Sequence, residues 1–267
     1  MPLKRTKKLI KKAINKYYKG KYIETEDEIA VETIITIIVN DNYISSILCS
    51  PTLENELVIG YLYTTGLIFS YQEIKEIHLE GYNIKVTLDS QINLDSRLKN
   101  SQFINRVISA GCNPPEYWLQ VKKGKGLPRI ESKMQVQIND IFIAMNDLNN
   151  NTEIFSRTGA THAAGLYDAK ANRIVIAEDI GRHNAVDKVI GYAISHEINL
   201  DDKLLISTGR LTADIIFKSS KSRIAIVASR GAATDSGIST AKATNITLIG
   251  FIRGNRLNIY TNKDRIK

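Results

Sequence analysis

The order of strand-like and helix-like segments predicts an α/β protein in which a three-layer α/β/α C-terminal domain follows a smaller N-terminal α+β domain. Three observations support this class. After residue 160, β-branched apolar runs and amphipathic segments follow the order β-β-α-β-α-β-α-β, which favours a sheet whose later strands are parallel. Before residue 100, short strands flank a single helical segment. Between the two, residues 109–130 combine paired prolines, glycines and lysines without periodicity, which is typical of an exposed loop.

These observations divide the chain into four segments. They are a basic N-terminal extension at residues 1–22, the small α+β domain at 23–105, a mobile loop at 106–130 and the large, ligand-binding domain at 131–267. In the small domain we predict strands at residues 30–39, 43–48, 74–79 and 82–88, and a helix with one buried face after Pro51. In the large domain we predict helices at residues 134–148, 182–195, 211–218 and 232–243, and strands at 165–168, 173–177, 203–207, 223–228 and 245–251.

The formal charge of +8 comes almost entirely from the first 22 residues. They carry nine basic side chains and no acid, so 27 basic and 28 acidic residues remain in the rest of the chain. This near-neutral remainder argues against a nucleic-acid-binding surface on the folded body. Apolar residues recur at helical spacing within the tail, at Leu9, Ile10, Ala13, Ile14 and Tyr17. We therefore expect a helical extension, either solvated or acting as a basic amphipathic helix that contacts RNA, an acidic partner or lipid headgroups.

Hydropathy argues against a membrane protein. No stretch of eighteen or more apolar residues occurs, and the start of the sequence lacks the apolar run of a secretory signal. We expect a cytoplasmic protein with no membrane contact.

The two cysteines, Cys49 and Cys112, are too few and too far apart for a zinc knuckle or a disulfide framework. A lone cysteine is most often a small buried apolar residue. Cys112, however, lies in the loop among lysines, and positive neighbours favour the thiolate over the thiol. A reactive role and a structural role both stay open for Cys112.

Polar, glycine-bearing loops follow four strands of the predicted large domain. The carboxyl ends of parallel strands share one edge of a sheet, where ligands collect. At this edge we expect an arginine rim, formed by Arg182, Arg210, Arg230, Arg253 and Arg256, with Thr208, Gly209 and Ser229 beside them. Guanidinium groups and free backbone N–H groups bind phosphates, so we predict an anionic ligand. The alternative is that these arginines pair with the acids Glu178, Asp179 and Asp187.

Two histidines lie in the same loops. His183 and Asp187 are one helical turn apart, so their side chains are within reach of each other and the carboxylate can orient the imidazole. His162 precedes the strands predicted at residues 165–168 and 173–177, which we expect to form a hairpin. For both, a structural role and a ligand-binding role stay open.

Several of these segments resemble the FdhD family, the formate dehydrogenase accessory sulfurtransferases. The resemblance runs in order from about Val31 to the end, and its most specific part is the block at residues 178–188. It also includes Cys49-Ser50-Pro51 and the segments at residues 54–60, 158–164, 208–210 and 250–256.

The resemblance implies a cytidine-deaminase-like core and a homodimer. It implies transfer of persulfide sulfur from a cysteine desulfurase to a molybdenum or tungsten bis-pterin guanine dinucleotide cofactor, which then enters formate dehydrogenase. Cys112 would carry the persulfide, and the guanine nucleotide would lie on the stretch Phe251, Ile252, Arg253, Gly254, Asn255 and Arg256. Many members carry Cys-Gly-x-Cys-Gly in the loop, whereas this chain has Gly111-Cys112-Asn113-Pro114, so a single loop thiol has to suffice.

Two other functions compete with sulfur transfer. One is a chaperone that binds and delivers the cofactor without handling sulfur. The other is a nucleoside or base deaminase, which the fold alone suggests. Deaminase chemistry needs a zinc site with a Pro-Cys-x-x-Cys element, which the sequence lacks. We therefore expect no zinc.

Overall fold

A computed structural model describes residues 7–105 and 127–267. Within these residues the chain forms three β-sheets and seven α-helices, a mixed α/β architecture. None of the helices in the described part is both long and apolar enough to span a bilayer.

The first sheet is a two-stranded antiparallel ribbon, β1 (Leu9–Tyr18) and β2 (Lys21–Ala30). The predicted helical extension is therefore wrong, and the polar residues that follow it belong to β2. Two physical features favour the ribbon. Lys19 and Gly20 both adopt positive φ, as a tight hairpin turn requires. The register places Lys11 opposite Glu28 and Lys12 opposite Asp27, so acids of β2 neutralise the basic strand.

The second sheet has the order β4-β3-β6-β5. Its strands are β3 (Thr33–Val39), β4 (Asn42–Cys49), β5 (Ile74–Glu80) and β6 (Asn83–Leu88), and its helices are α1 (Glu54–Thr65) and α2 (Leu94–Asn105). The strands predicted at residues 30–39 and 43–48 form the hairpin of β3 and β4, and the helix predicted after Pro51 is present, while α2 was not predicted. The buried side of the sheet and α1 share one apolar core, which includes Ile37, Leu57 and Leu62.

The third sheet has the order β12-β11-β10-β9-β7-β8. Its strands are β7 (His162–Tyr167), β8 (Arg173–Asp179), β9 (Leu204–Ser207), β10 (Ile226–Ser229), β11 (Thr247–Arg253) and β12 (Arg256–Ile259). The helices of this part are α3 (Ile138–Asn150), α4 (Glu153–Thr158), α5 (Arg182–Ser195), α6 (Ala213–Lys221) and α7 (Asp235–Thr244).

Strands β9, β10 and β11 are parallel, as predicted, and β7 is antiparallel to both of its neighbours, β8 and β9. Every residue of β9 and β10 is buried, which is typical of central strands covered on both faces. The short elements α4 and β12 were not predicted. The cytidine-deaminase-like core and the domain boundaries remain predictions.

Helices α1 and α5 cross at two glycines. A Cβ atom on Gly60 would lie 1.9 Å from the carbonyl oxygen of Asp187, and one on Gly191 would lie 1.8 Å from that of Glu56. The backbones therefore touch, and no other residue fits at either position without displacing a helix. This crossing fixes α5 against the small sheet's core.

Two buried ion pairs strengthen the same junction. Lys188 Nζ lies 2.7 Å from Asp179 and donates to the carbonyl oxygen of Ser50. Lys218 Nζ lies 2.7 Å from Asp187, whose carboxylate also accepts a hydrogen bond from Thr64. Buried charges of this kind are tolerated only when they are paired and hydrogen-bonded. The two ion pairs therefore hold the start of α5 in one position.

Candidate functional site

Strands β8, β9, β10 and β11 all end at one edge of the large sheet. Strands β8 and β9 run in the same direction because each is antiparallel to β7, which lies between them. Strand β7 begins at this edge, so His162 lies beside the ends of its neighbours. The four arginine-bearing loops therefore share one edge, and β7 adds a histidine to it.

Three glycines bring the loops of this edge into direct contact. A Cβ atom on Gly209 would lie 2.8 Å from the Cβ of Arg182, and one on Gly231 would lie 2.5 Å from the carbonyl oxygen of Gly209. A Cβ atom on Gly250 would lie 3.0 Å from the carbonyl oxygen of Gly231. The loops thus pack in a continuous row from the start of α5 to β11, which no larger residue would allow.

Two of the predicted binding residues use their hydroxyl groups for hydrogen bonds to the backbone of these loops and strands. Ser229 Oγ is buried, 2.8 Å from the carbonyl oxygen of Ser207 and 2.6 Å from that of Gly209, and it accepts a hydrogen bond from the N–H of Gly231. Thr208 Oγ1 accepts a hydrogen bond from the N–H of Ala163 at 3.0 Å. Ser229 therefore holds two neighbouring loops together and has no free hydroxyl for a ligand.

Three acids near the rim, Glu178, Asp179 and Asp187, have partners other than the rim arginines. The carboxylate of Glu178 accepts two backbone N–H groups at the start of α4, at 2.9 and 2.7 Å. The carboxylates of Asp179 and Asp187 pair with Lys188 and Lys218. The alternative in which these three acids neutralise the rim arginines is therefore wrong.

Consequently the arginine rim carries an excess of positive charge, which only Asp214, through its charge on Arg182, is shown to reduce within the described residues. Among the described residues, none of its five members forms an ion pair, whereas Arg97, Arg157 and Arg223 each pair with an acid elsewhere. Burial, followed by the charges of Arg182, Arg230 and Arg210, lowers the pKa of His162. The charges of three rim arginines thus act on the same imidazole, an arrangement that favours a bound anion.

His183 lies at the first turn of α5 and is neutral. Burial, and then the charge of Arg182, lowers the pKa of His183 to about 3. The expected contact with Asp187 is wrong, because the carboxylate of Asp187 pairs with Lys218 and Thr64 instead. The acid nearest to His183 Nε2 is Asp214, at 3.9 Å.

A group of buried polar atoms beside His183 has no hydrogen-bond partner among the described residues. They are Arg182 Nε, His183 Nε2, Thr212 Oγ1 and Asp214 Oδ1. Burial also raises the pKa of Asp214. Thr212 and Asp214 were not predicted as site residues, although a threonine before a helix and an acid in its first turn mark a helix start in the sequence. These atoms extend the polar edge from α5 to α6.

The predicted nucleotide-binding stretch forms the tip of the β11–β12 hairpin. Phe251 adopts a left-handed φ of 54°, and the register shifts between Gly250 and Arg253, so the strand is bulged here. Arg253 and Arg256 are direct cross-strand partners, and like charges at such positions repel each other. The side chain of Ile252 is buried in the core, so only its backbone can contact a ligand.

Comparison with known proteins identifies the family. The FdhD/NarQ family model matches residues 30–267. This chain belongs to that family. The sulfur carrier protein FdhD of Bacillus pumilus (strain SAFR-032) is 33% identical over 259 residues, which cover 96% of this chain and 97% of the relative. That of Staphylococcus aureus (strain MRSA252) is 33% identical over 254 residues, which cover 95% and 94%.

A solved structure supports the same assignment. It is a crystal structure of a protein from Desulfotalea psychrophila, assigned as a formate dehydrogenase accessory protein. It matches this FdhD/NarQ member with a TM-score of 0.81 at 25% identity, over 98% of this chain and 100% of that chain. The resemblance seen in the sequence motifs is confirmed.

The two thiols of this FdhD/NarQ protein differ in accessibility. Cys49 is completely buried in the core of the small sheet, and burial, reinforced by the nearby Asp179, raises its pKa to about 12. A buried thiol of this kind is unreactive. Cys112 lies outside the described residues.

A resident metal site is not evident in the described part of the chain. No group of three or more His, Cys, Asp or Glu side chains there is arranged to hold a metal ion. The polar atoms at the rim instead provide guanidinium groups and neutral imidazoles, which suit an organic anion.

Proposed function

We propose that this protein is a sulfur carrier for a molybdenum or tungsten bis-pterin guanine dinucleotide cofactor required by formate dehydrogenase, and that a cysteine desulfurase supplies the sulfur. The observation that carries the proposal is the arginine rim, from which Asp179 and Asp187 are diverted into ion pairs with buried lysines. Relatives named as sulfur carrier protein FdhD over nearly the whole chain give the chemical class. The cofactor is cargo here, because it leaves with formate dehydrogenase.

The chemistry of the rim suits this cargo. Each dinucleotide arm carries a pyrophosphate, which guanidinium groups and helix N-termini bind well. Helix α5 begins at Arg182 after Gly181, which has no side chain to cap the helix, so backbone N–H groups at its start are available. At the hairpin tip, an anion between Arg253 and Arg256 would relieve the repulsion between them. We propose that the tip holds the nucleotide end of the cargo and that Arg182, Arg210 and Arg230 hold phosphates.

The sulfur step requires one accessible thiol. A Cys112 thiolate attacks the outer sulfur of the desulfurase persulfide, forms the Cys112 persulfide and releases the desulfurase thiolate. Cys49 does not compete, because it is buried and protonated. Release of the carried sulfur to the cargo as sulfide would need two electrons, which a thiol reductant would supply, and would return the Cys112 thiol. As in the sequence-based expectation, we propose that the protein acts as a homodimer.

A chaperone that delivers the cofactor without handling sulfur is the competing function. It rests on the loop sequence, which has one cysteine where many family members have two. A chaperone would bind the cofactor at the same arginine rim. It would differ from a sulfur carrier only in that Cys112 carries no sulfur.

Sulfur loading separates the two functions. The purified protein is incubated with a cysteine desulfurase and cysteine, and cyanide-releasable sulfur is measured per chain. We expect about one sulfur per chain for the unmodified protein and for the matched control Cys49→Ser, and none for Cys112→Ser. A yield near zero for the unmodified protein, or equal yields for the two variants, would refute sulfur transfer through Cys112.

A further inference from the structure

Four buried side-chain atoms that lack a hydrogen-bond partner among the described residues lie together where α5 and α6 begin. They are Arg182 Nε, His183 Nε2, Thr212 Oγ1 and Asp214 Oδ1, which we call the junction cluster. His183 Nε2 lies 3.9 Å from the carboxylate of Asp214, and Arg182 packs on Gly209 in the loop that leads to Thr212. A buried polar atom without a partner is destabilising, so four in one place indicate a missing partner.

The junction cluster differs from the rest of the arginine rim because it contains a carboxylate. A carboxylate repels phosphate, so the ligand group that pairs with Asp214 has to donate hydrogen bonds. Beside it, Arg182 Nε is a permanent donor, and the Thr212 hydroxyl and the neutral imidazole of His183 can each donate or accept. The cluster therefore matches a neutral group that presents hydrogen-bond donors next to an acceptor.

The 2-amino-4-oxopyrimidine edge of a pterin has this arrangement. Its amino group and the neighbouring ring N–H are two adjacent donors, and its carbonyl oxygen is an acceptor beside them. The carboxylate of Asp214 can accept both N–H groups, while Arg182 or Thr212 donates to the carbonyl oxygen. Guanine presents the same edge, whereas adenine lacks the adjacent pair of donors.

The position of the junction cluster favours the pterin over the guanine. Strands β11, β10 and β9 are neighbours in that order, and they lead to the hairpin tip, to Arg230 and to Thr212 respectively. Neighbouring strands lie about 4.8 Å apart, so the end of β9 lies roughly 10 Å from the end of β11, with the Arg230 loop between them. In a pterin guanine dinucleotide, the pyrophosphate likewise lies between the two ring systems. With the nucleotide at the tip and phosphates on Arg230, the pterin extends toward the cluster.

We propose that the junction cluster binds the 2-amino-4-oxo edge of the cargo's pterin, and that Asp214 is the residue that selects the amino group. This inference rests on the proposed carrier function. The side chains of His183 and Asp214 are 34% and 18% exposed, so both reach the surface, and rotation of each side chain turns its unpartnered atom toward a ligand. Burial raises the pKa of Asp214, and two N–H donors from a pterin would stabilise its ionised form.

A matched exchange of ligand and residue tests this assignment. Lumazine is pterin with a carbonyl oxygen in place of the 2-amino group, and Asp214→Asn replaces one carboxylate oxygen with an amide that donates. Fluorescence titration of the full-length protein is expected to show pterin bound at least about tenfold more tightly than lumazine. In Asp214→Asn the preference is expected to reverse, because the amide donates to the added carbonyl oxygen. The control Asp202→Asn, exposed just before β9 at the opposite edge of the sheet, is expected to keep the preference for pterin.

A reversed preference reports recognition of the edge, since damage to the fold would weaken the binding of both ligands. No pterin binding to the unmodified protein, or the same preference in Asp214→Asn, would overturn the proposal and show that the junction cluster holds only internal water.

The same exchange with GDP and xanthosine diphosphate identifies the ring that uses the cluster. Asp214→Asn is expected to leave the preference for GDP unchanged, and a reversal with the nucleotides alone would overturn the assignment to the pterin. The carrier function is judged separately, by GDP binding that Arg253→Gln/Arg256→Gln weakens, and this result can hold while the pterin test fails. Absence of GDP binding to the unmodified protein would contradict the carrier function and this inference together.

Discussion

At the scale of single residues, the pairing of a few acids determines the charge of the rim. Glu178, Asp179 and Asp187 lie within the most distinctive sequence block, directly beside Arg182. Each is used internally, for the start of α4 or for a buried lysine. Their carboxylates are therefore committed to partners within the fold, and removing one partner would leave a buried charge unpaired.

Gly209 positions Arg182, and its substitution tests this directly. In Gly209→Ala the new Cβ would lie 2.8 Å from the Cβ of Arg182, so the arginine must move. We expect at least about tenfold weaker binding of a guanine nucleotide, the loss of about one charge-assisted hydrogen bond. Calorimetric titration with GDP measures the affinity.

A double variant provides the control for Gly209→Ala. If the alanine acts through Arg182, combining it with Arg182→Gln causes little further loss beyond Arg182→Gln alone. Additive losses in the double variant would show that Gly209 acts through some other contact.

The sequence could predict which loops share the rim, but not which side chains pair there. Strand ends at one edge follow from chain direction alone, so the arginines were found. The spacing of His183 and Asp187 shows only that both lie on neighbouring turns of one helix. The contacts of Asp187 with Lys218 and Thr64 come from α6 and α1, which are distant in sequence. Asp214 was missed for the same reason.

At the scale of elements, helix α5 connects the rim to the rest of the protein. Its predicted bounds agree with the structure because its apolar residues Val186, Val189, Ile190 and Ala193 recur at helical spacing and are buried. Strand β1 was predicted as a helix, since its apolar residues recur at three- and four-residue spacing although they lie in a strand. Strand β12, with four residues, is too short to show any period.

The crossing of α1 and α5 depends on Gly60. In Gly60→Ala the added carbon would lie 1.9 Å from a backbone oxygen of α5, so the helices must separate. We expect the free energy of unfolding to fall by about 1–3 kcal/mol or more, as in other overpacked cores. Chemical denaturation measures this change.

Asn55→Ala, on the exposed side of the same helix, is the matched control for Gly60→Ala. It is expected to change the stability by less than about 0.5 kcal/mol. Equal stabilities of Gly60→Ala and Asn55→Ala would contradict the tight crossing.

At the scale of the whole molecule, the fold assembles residues from five separate loops into one electropositive edge. The small-sheet part of the protein supports this edge through α1, which packs on α5, and through contacts with the buried side chains of Lys188 and Lys218. The loops of the large sheet supply the arginines and histidines of the edge. The position of the edge at the ends of parallel strands agrees with the general rule for α/β proteins. The proposed carrier function therefore requires that this edge binds the anionic end of the cargo.

Titration of the protein with GDP at low salt tests this claim most directly. We predict binding that weakens as the ionic strength rises. We also predict an affinity loss of roughly tenfold or more in Arg253→Gln/Arg256→Gln, since hydrogen bonds to charged groups contribute about 1.5–3 kcal/mol each. The control Arg223→Gln, whose guanidinium pairs with Asp201 away from the rim, is expected to bind like the unmodified protein. Absence of GDP binding, or equal affinities for the double variant and the control, would contradict the account.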